Sequence, residues 1–282
     1  MTGGPQGADP SFTIRFWGTR GSLPCPGPET VRYGGNTTCI EVRCGGRVLI
    51  IDAGSGLRKL GQSLMRGGRV DADIFFTHTH WDHVCGLPFF VPAFIPGNAI
   101  RFHAAHLGPA DSIHRVLAEQ MLAPLFPVPL GTFGASCSFS DFPQGAVLNP
   151  LPGVTLRTGP LNHPNGATGY RIEYAGRVAC VITDTEHPES GRDPNVMALV
   201  QDADVMVYDA MFADAAYPRF KGWGHSTWEE AIRIAEAANV KRPVLFHHDP
   251  NADDAALDAV AAAAAARYPG ALVAKEGETL TL

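Results

Sequence analysis

The sequence predicts a protein of the α/β (α+β) class, in which two packed β-sheets carry helices on their outer faces. Short apolar runs typical of buried strands recur along the chain, and turns rich in Gly and Pro separate them. Hairpin signals come first in each half, at Gly45-Gly46 and Ala175-Gly176, and helical segments follow them. Elements interleaved in this way bury their apolar sides when two sheets pack together beneath outer helices.

Length and composition indicate one large domain. The chain has 282 residues, enough for a sizeable core, and residues 12–282 are predicted to form a single domain after a disordered tail at residues 1–11. A net charge of -6 without a basic run argues against binding a long nucleic acid. No apolar stretch approaches the about 20 residues of a membrane helix, so we expect no membrane partner.

The start of the chain shows no export signal. Residues 1–10 lack both a basic start and an apolar segment, so a cytoplasmic location is expected. The six cysteines are scattered without a Cys-x-x-Cys pair and are expected to be reduced thiols.

Apolar runs in the first half predict mostly strands, with two helices. The helices are expected from about Gly56 to Arg66, after the turn Asp52–Gly56, and at Asp111–Leu122. The predicted strands are Phe12–Trp17, Thr37–Arg43, Arg47–Ile51, Ala72–Phe76 and Ile100–His103.

The second half opens with short strands and ends with helices. Thr227–Asn239 is amphipathic, with Ser226 as its expected N-cap, and the Ala-rich segment 252–267 is a second helix. The predicted strands are Ser138–Phe142, Val147–Asn149, Val154–Thr158, the hairpin Thr168–Tyr174 with Arg177–Thr183, Val205–Tyr208 and Pro243–Phe246.

A cluster of metal-ligand residues follows one of these strands. Directly after the apolar run Ala72–Phe76 the chain reads His78-x-His80-x-Asp82-His83. In an extended exit, His78 and His80 point the same way and can grip one ion, while Asp82 and His83 can serve a second. The Glu of a His-Glu-x-x-His zinc helix is absent, which excludes the helical metalloprotease motif.

Acidic or histidine residues recur at later strand ends. They are His163, Asp184, Asp209 and His247, each close behind a predicted strand. Several strand ends that deliver such side chains to one edge of a fold would make a metal site.

On these residues the sequence resembles the metallo-β-lactamase superfamily over almost its whole length. The resemblance implies the metallo-β-lactamase fold, a four-layer αββα sandwich with a binuclear metal site between the sheet edges. It implies that one ion is held by His78, His80, His163 and Asp184. The other is held by Asp82, His83, Asp184 and His247, with Asp184 bridging in place of the Cys of true β-lactamases.

Within the superfamily the sequence is similar to the phosphodiesterase branch that includes tRNase Z and the small cyclic-nucleotide and anti-phage phosphodiesterases. Gly224-His225-Ser226-Thr227 resembles the His-Ser-Thr loop of tRNase Z, and Tyr208-Asp209-Ala210-Met211 stands where that family has His-Glu-Ala-Thr. The openings Phe16–Ser22 and Tyr33–Thr37 resemble the cyclic-nucleotide enzymes. The resemblance also implies a homodimer.

The sequence lacks one feature of the tRNase Z family, its exosite arm. The exosite arm of that family belongs between the third and fourth ligand motifs, but only 20 residues separate His163 from Asp184. Together with the acidic net charge, this argues against tRNA and for a small anionic phosphodiester, for which a cyclic nucleotide is the expected substrate.

The net charge expected for the site and its proton donors and acceptors suit a phosphodiester substrate. Two divalent ions, two carboxylates and a bridging hydroxide leave the site at about +1, which suits an anionic phosphate. Metal binding lowers the pKa of water to ~7, so that hydroxide can attack at neutral pH. Asp82, His225 and Asp209 are the expected catalytic residues, with His225 as general acid oriented by Asp209.

Substrate contacts and the metal are less constrained by the sequence. Arg20, Asn36, His187 and Ser226 are candidate substrate-binding residues, the alternative for the first two being hydrogen bonds that stabilise the loop. The ions are expected to be Zn²⁺, with Mn²⁺ as the alternative. Two other functions stay open, namely a lactonase or thioesterase of the same fold and a non-catalytic metal-binding module.

Overall fold

Fourteen strands form two sheets in the structure, a computed structural model that describes residues 10–282. In chain order the strands are β1 (Phe12–Gly18), β2 (Cys39–Cys44), β3 (Arg47–Ile51), β4 (Asp71–Phe76), β5 (Ala99–Ala104), β6 (Ser136–Asp141), β7 (Val147–Leu148), β8 (Thr155–Leu161), β9 (Ala167–Tyr174), β10 (Arg177–Ile182), β11 (Val205–Asp209), β12 (Arg242–Phe246), β13 (Leu272–Val273) and β14 (Thr279–Thr281).

The two sheets repeat one plan. The first has the order β14-β1-β2-β3-β4-β5-β6, and the second has the order β13-β12-β11-β10-β9-β8-β7. Pairing is antiparallel from β14 to β3 and parallel from β3 to β6. In the second sheet it is antiparallel from β7 to β10 and parallel from β10 to β13.

Helices cover the outer face of each sheet. Those beside the first sheet are α1 (Leu57–Met65), α2 (Trp81–Val84), α3 (Val91–Phe94) and α4 (Ile113–Gln120), and those beside the second are α5 (Pro194–Val200), α6 (Trp228–Ala237) and α7 (Asp254–Arg267). Short 3-10 turns lie at Pro28–Thr30, Leu87–Phe89, Leu130–Thr132 and Tyr217–Arg219. The predicted four-layer αββα sandwich is therefore confirmed.

The main core lies between the sheets. Phe12, Phe16 and Phe75 of the first sheet pack with Tyr170 and Phe246 of the second, and all five are essentially fully buried. Each such aromatic side chain contributes about 1.5–3 kcal/mol through burial alone. This core fixes the sheets against each other, and with them the loops at the strand ends.

Parallel strands bring the site residues to one end of the sandwich. His78 follows β4, Asp184 follows β10, Asp209 ends β11 and His247 follows β12. Strands β10, β11 and β12 are parallel neighbours, so their carboxyl ends lie side by side. The carboxyl ends of parallel strands are the usual location of binding sites in sheets of this kind.

Besides helices α3 and α5, which the sequence analysis does not predict, two details of the secondary structure differ from the sequence-based expectations. The N-cap of α6 is Thr227, not Ser226, because the Thr227 hydroxyl accepts the hydrogen bond from the Glu230 amide at 3.0 Å. Asp82 and His83 lie on the short helix α2 rather than on an extended loop.

The predicted disordered tail and the expected lack of a membrane helix can each be compared with the structure. The predicted tail falls outside the described residues for positions 1–9, whereas the Ser11 carbonyl accepts a hydrogen bond from Gly45 at 2.7 Å. Among the residues the structure describes, no helix is both long and apolar enough to cross a bilayer.

Candidate metal centre

The loop after β4 is held by a buried carboxylate. Asp52, at the end of β3, accepts hydrogen bonds at 2.7 Å from both the amide and the hydroxyl of Thr77. Its Oδ2 also lies 2.8 Å from Nδ1 of His83. A histidine whose Nδ1 is held in this way presents Nε2 to the site, the usual arrangement behind a metal-ligating imidazole.

The first group of side chains is formed by three histidines. His78 and His80 come from the loop after β4, and His163 comes from the turn after β8. Nδ1 of His80 lies 3.0 Å from Nε2 of His163. Nδ1 of His163 donates to the Gly224 carbonyl at 2.8 Å, which leaves Nε2 to face the other two rings.

The second group contains four buried side chains, Asp82, His83, Asp184 and His247. Oδ2 of Asp82 lies 3.2 Å from Nε2 of His83 and 3.3 Å from Nε2 of His247. The Ser22 amide donates to the same oxygen at 2.8 Å, which fixes the carboxylate from the other side.

Asp184 lies between the two groups. Its Oδ1 is 3.3 Å from Nε2 of His83 and 3.2 Å from Nε2 of His247. Its Oδ2 is 3.7 Å from Nε2 of His78 and 3.8 Å from Nε2 of His163. Each oxygen of one carboxylate thus faces a different group, the geometry of a bridging ligand.

These residues fit a pair of divalent ions. Ligands about 2.0–2.1 Å from a tetrahedral ion lie about 3.3 Å apart, close to the separations within both groups. Within residues 10–282, Nε2 of His78 and Nε2 of His83 are buried and have no hydrogen-bond partner. Buried polar atoms rarely stay without a partner, and a cation would provide one. The imidazoles and carboxylates of both groups are donor types that divalent metal ions take in proteins.

Electrostatics favour the cation-binding forms of two side chains in the site, His78 and Asp184. Burial and the neighbouring His83 lower the pKa of His78 well below its usual value, which keeps the ring neutral. Burial opposes ionisation of Asp184, but the nearby His247 and His83 outweigh it and lower the pKa of that carboxyl.

Backbone strain is concentrated at the same place. Asp52, Asp184 and His247 have φ angles of 63°, 60° and 59°, in the left-handed region that residues other than Gly seldom adopt. Such strain persists where the surrounding structure fixes it, and it is often found at functional sites.

A histidine and a carboxylate lie beside the ligand groups. Nδ1 of His225 is 2.8 Å from Oδ2 of Asp209 and 3.9 Å from Oδ2 of Asp184. Asp209 is itself fixed by the amides of Thr185 and Met211, each at 3.2 Å. Burial disfavours the charged ring, but Asp209 and then Asp184 outweigh it and raise the pKa of His225 to about 9.

Two expected substrate contacts form hydrogen bonds between loops instead, and for the half-buried Asn36 contact with substrate stays a prediction. Arg20 is fully buried, and its guanidinium donates to the carbonyls of Gly34, Asp249 and Ala252. Asn36 donates to Glu276 at 2.9 Å and accepts from Ser55 at 3.0 Å. Both side chains hold loops together, which is the alternative that the sequence left open.

The other two expected substrate contacts meet each other. Ser226 is fully buried, so it is not available to substrate, and its hydroxyl lies 2.8 Å from Nδ1 of His187. His187 is half-buried and packs against Tyr217, with the ring centroids 4.3 Å apart and the ring planes tilted by 30°. A direct role for His187 in substrate binding stays a prediction.

Sequence reasoning missed Asp52. It was interpreted only as the start of a turn, although it stands where an apolar strand ends in an acid, the same signal that singled out Asp184 and Asp209. That pattern could have found it.

Fold and site together define a class, the metal-dependent hydrolases in which two sheets place histidines and carboxylates around a bridging aspartate. The Beta-lactamase superfamily domain matches residues 47–248 of the chain, and the chain belongs to that superfamily.

Relatives and solved structures agree with this assignment. A ribonuclease Z of Bradyrhizobium diazoefficiens is 27% identical over 315 residues, which cover 94% of this chain and 98% of the relative. A metallo-β-lactamase fold protein of Bacillus subtilis superposes with a TM-score of 0.72 at 17% identity, over 96% of this chain and 100% of the other. The short form of human tRNase Z superposes with a TM-score of 0.66 at 19% identity, over 95% and 98% of the two chains.

Proposed function

We propose that this protein is a binuclear metal-dependent phosphodiesterase that acts on a small phosphodiester. One observation carries the proposal. Asp184 separates two groups of ligand-type side chains, and the His225–Asp209 pair begins 3.9 Å from one of its oxygens. Ligands alone would suit any hydrolase of this fold, whereas a leaving alkoxide also needs a proton donor beside the ions.

The chain's residues divide the work as follows. His78, His80, His163 and Asp184 would hold one ion, and Asp82, His83, Asp184 and His247 the other. When bound, two such ions supply an activated water and stabilise the attacking and leaving oxygens. His225 has Nδ1 held by Asp209, so Nε2 is the nitrogen that gives a proton to the leaving oxygen. Asp209 stabilises the charged ring before transfer and keeps its orientation.

A small, nucleoside-bearing substrate is supported by two features. The 20 residues between His163 and Asp184 form mainly the hairpin β9–β10, which turns tightly at Ala175-Gly176 and leaves no segment for an exosite arm. Trp81 and Trp223 are 70% and 60% exposed and lie next to His80 and Gly224 in sequence, where they could stack on a base. We therefore propose a cyclic nucleotide as the substrate.

A second function is favoured by the relatives. The ribonuclease Z of Bradyrhizobium diazoefficiens aligns over almost its full length, so cleavage of an RNA phosphodiester is the main rival. A thioesterase needs the ions but has no use for an oriented general acid, because a thiolate leaves without a proton. A lactonase also releases an alkoxide, so only a comparison of substrates separates it from a phosphodiesterase.

Replacing the general acid tests the proposal. His225→Ala should retain two ions per chain and lose turnover of a phosphodiester by ~10²–10⁴-fold, because only proton transfer is removed. Metal content by mass spectrometry and kcat on bis-p-nitrophenyl phosphate and on cyclic mononucleotides give the readouts. His114→Ala, at an exposed histidine on α4, is the matched control.

The result can contradict the proposal in two ways. Full phosphodiesterase activity in His225→Ala would remove His225 from the mechanism. Faster turnover of a homoserine lactone, a thioester or a tRNA precursor by the wild-type protein, with EDTA controls, would replace the proposed substrate.

Three further expectations belong to this proposal. We propose Zn²⁺ as the bound ion with Mn²⁺ as the alternative, a homodimer, and a cytoplasmic location. Metal-reconstitution assays and sedimentation velocity test the first two directly, and fractionation of the source cells tests the third.

A further inference from the structure

Glu186 lies two residues beyond the bridging aspartate, outside both ligand groups. Its backbone pairs with Asn162, the residue before His163. The Glu186 amide donates to the Asn162 carbonyl at 2.7 Å, and the Asn162 side chain donates back to the Glu186 carbonyl at 2.9 Å. The segments that carry Asp184 and His163 are thereby tied together.

The Glu186 carboxylate reaches across to the 212–225 loop, which ends in His225. It accepts hydrogen bonds from the Gly222 amide at 2.9 Å, the Gly224 amide at 2.8 Å and the Tyr217 hydroxyl at 3.0 Å. Hydrogen bonds to an ionised acceptor are about twice as strong as neutral ones. Two of the donors are backbone amides, so the carboxylate fixes the course of the main chain itself.

Gly224 passes this constraint on to a ligand. Its carbonyl accepts the hydrogen bond from Nδ1 of His163, and its φ of 83° lies in the left-handed region. A Cβ at this position would lie 2.3 Å from Nδ1 of His163, so the peptide packs directly on the ring. The next residue is His225, whose ring is fixed at the other end by Asp209.

We infer that Glu186 is a positioning residue that sets two functional histidines at once. Through the Gly224 peptide it holds His163 in the tautomer that turns Nε2 towards the ligand group, and it holds the backbone from which His225 projects. The inference rests on the proposed function for the role of His225 alone, because the orientation of His163 depends only on the metal site.

Substitutions at Glu186 and its neighbours test this role. Glu186→Ala should weaken binding of the ion that His163 would help to hold by about 10-fold and lower kcat about 10–100-fold, the range seen when partners behind ligands are removed. Glu186→Gln keeps an oxygen acceptor but turns an NH₂ group towards an amide donor, so its losses should be smaller. The loss in kcat should exceed the change in KM, since Glu186 is inferred to act through His163 and His225 and not on the substrate.

The chain offers a matched control. Glu189 lies three residues further on and contacts the same loop through Lys221 at 2.9 Å, but its side chain is 82% exposed and, among residues 10–282, accepts no hydrogen bond from a backbone amide. Glu189→Ala should change metal affinity and kcat by less than about twofold, because exposed ion pairs contribute little. Tyr217→Phe removes one of the three groups that donate to Glu186 and leaves both backbone amides. Its effects on metal affinity and kcat should therefore be nearly as small as those of Glu189→Ala.

A readout without metal or activity separates positioning from general stability. In the metal-free protein, long-range ¹H–¹⁵N spectra of the histidine side chains report which nitrogen carries the proton. The signal of His163 should show a protonated Nδ1 in the wild type and in Glu189→Ala, and mixed tautomers in Glu186→Ala and, to a smaller extent, in Glu186→Gln.

Each outcome has a distinct meaning. Metal affinity is measured by competition with a chelator. An unchanged metal affinity and an unchanged His163 signal in both Glu186 variants would overturn the inference. Losses of metal affinity and kcat in Glu189→Ala as large as those in Glu186→Ala would overturn it too. If Glu186→Ala does not fold, Glu186→Gln carries the test. If the wild-type protein hydrolyses no phosphodiester, the proposed function fails, but the chelator and histidine measurements still decide the role of Glu186.

Discussion

The two halves of the fold supply the candidate metal centre in different ways. The first half delivers His78, His80, Asp82 and His83 within six consecutive positions after one strand. The second half delivers His163, Asp184 and His247 from three separate strand ends, the first and last of them 84 positions apart. A short stretch fixes the first set, whereas the second set exists only once the sheet has formed.

The difference lies in what holds each set. The residues of the first set are anchored by α2 and by the bonds of Asp52 to Thr77 and His83. Those of the second depend on the neighbouring strands β10, β11 and β12 and on loops that Glu186 and Asp209 tie down. A contiguous motif can therefore be rigid locally, while a dispersed one needs long-range packing to become a site.

The largest effect is expected where the two sets meet. Asp184→Asn removes the charge of the carboxylate that faces both groups and should lower turnover by more than ~10³-fold, with loss of at least one ion, since each ion supplies several kcal/mol of stabilisation. Metal content and kcat measure this. Asp202→Asn is a fitting control, because Asp202 also has a positive φ, of 54°, but lies beyond α5.

If Asp184→Asn retained two ions and full activity, the residues from the two halves of the fold would form the site without a shared ligand. That result would contradict the role given to Asp184. A full effect in Asp202→Asn would instead show that losing a carboxylate away from the site is enough, because Asn tolerates the left-handed region as well as Asp does.

A smaller and more specific effect is expected from the buried aspartates behind the histidines. Asp52 holds His83 in the first half, and Asp209 holds His225 in the second, both at 2.8 Å. Asp52→Asn should weaken metal binding about 10–100-fold, and Asp209→Asn should lower turnover by a similar factor without changing metal affinity. Chelator competition and steady-state kinetics on the two variants give the comparison.

The two variants control for each other. Equal losses of metal affinity in both would show that His225 contributes to the ion site. Equal losses of turnover with intact metal binding would show that Asp52 has no part in orienting a ligand.

The sequence predicts the contiguous ligands of the first half better than the dispersed ligands of the second half. The motif at 78–83 and the strand before it were readable locally, and the paired sheets and outer helices followed from apolar periodicity. The strand ends at Asp184, Asp209 and His247 were also visible, but their convergence depends on the order of β10, β11 and β12, which only the resemblance supplied.

The errors concern contacts between distant segments. Arg20 was expected at the substrate because it lies in a long Gly- and Pro-rich loop, but the carbonyls of Asp249 and Ala252, more than 200 residues away in sequence, surround its guanidinium. Ser226 and Thr227 are both good caps, and only the backbone decides that Thr227 begins α6. No local pattern contains this information.

The smallest effect on the site is expected from a charge cluster in the first sheet. Asp73 on β4 is buried, and its two oxygens accept hydrogen bonds from the Arg101 guanidinium at 2.7 Å, with Nε2 of His103 at 2.9 Å. Burial raises the pKa of Asp73, but the bonds from His103 and Arg101 outweigh it, so the net shift is downward. Asp73→Asn should lower the free energy of unfolding by about 1–3 kcal/mol at pH 7 and leave metal affinity unchanged.

The pH dependence of this loss follows from the direction of the shift. The folded-state pKa lies below the value of an unfolded aspartate, about 3.9, so the stabilisation is complete above that value and is lost as the pH falls through the folded-state pKa. Urea unfolding of the metal-free protein at pH 7 and near pH 3 should show the difference between wild type and Asp73→Asn shrinking in acid. Asp71→Asn, whose exposed carboxylate shares Arg101, should lose about 0.5 kcal/mol or less at either pH. A loss in Asp73→Asn that stays the same at both pH values would refute an electrostatic origin, because an amide that only packs badly does not titrate.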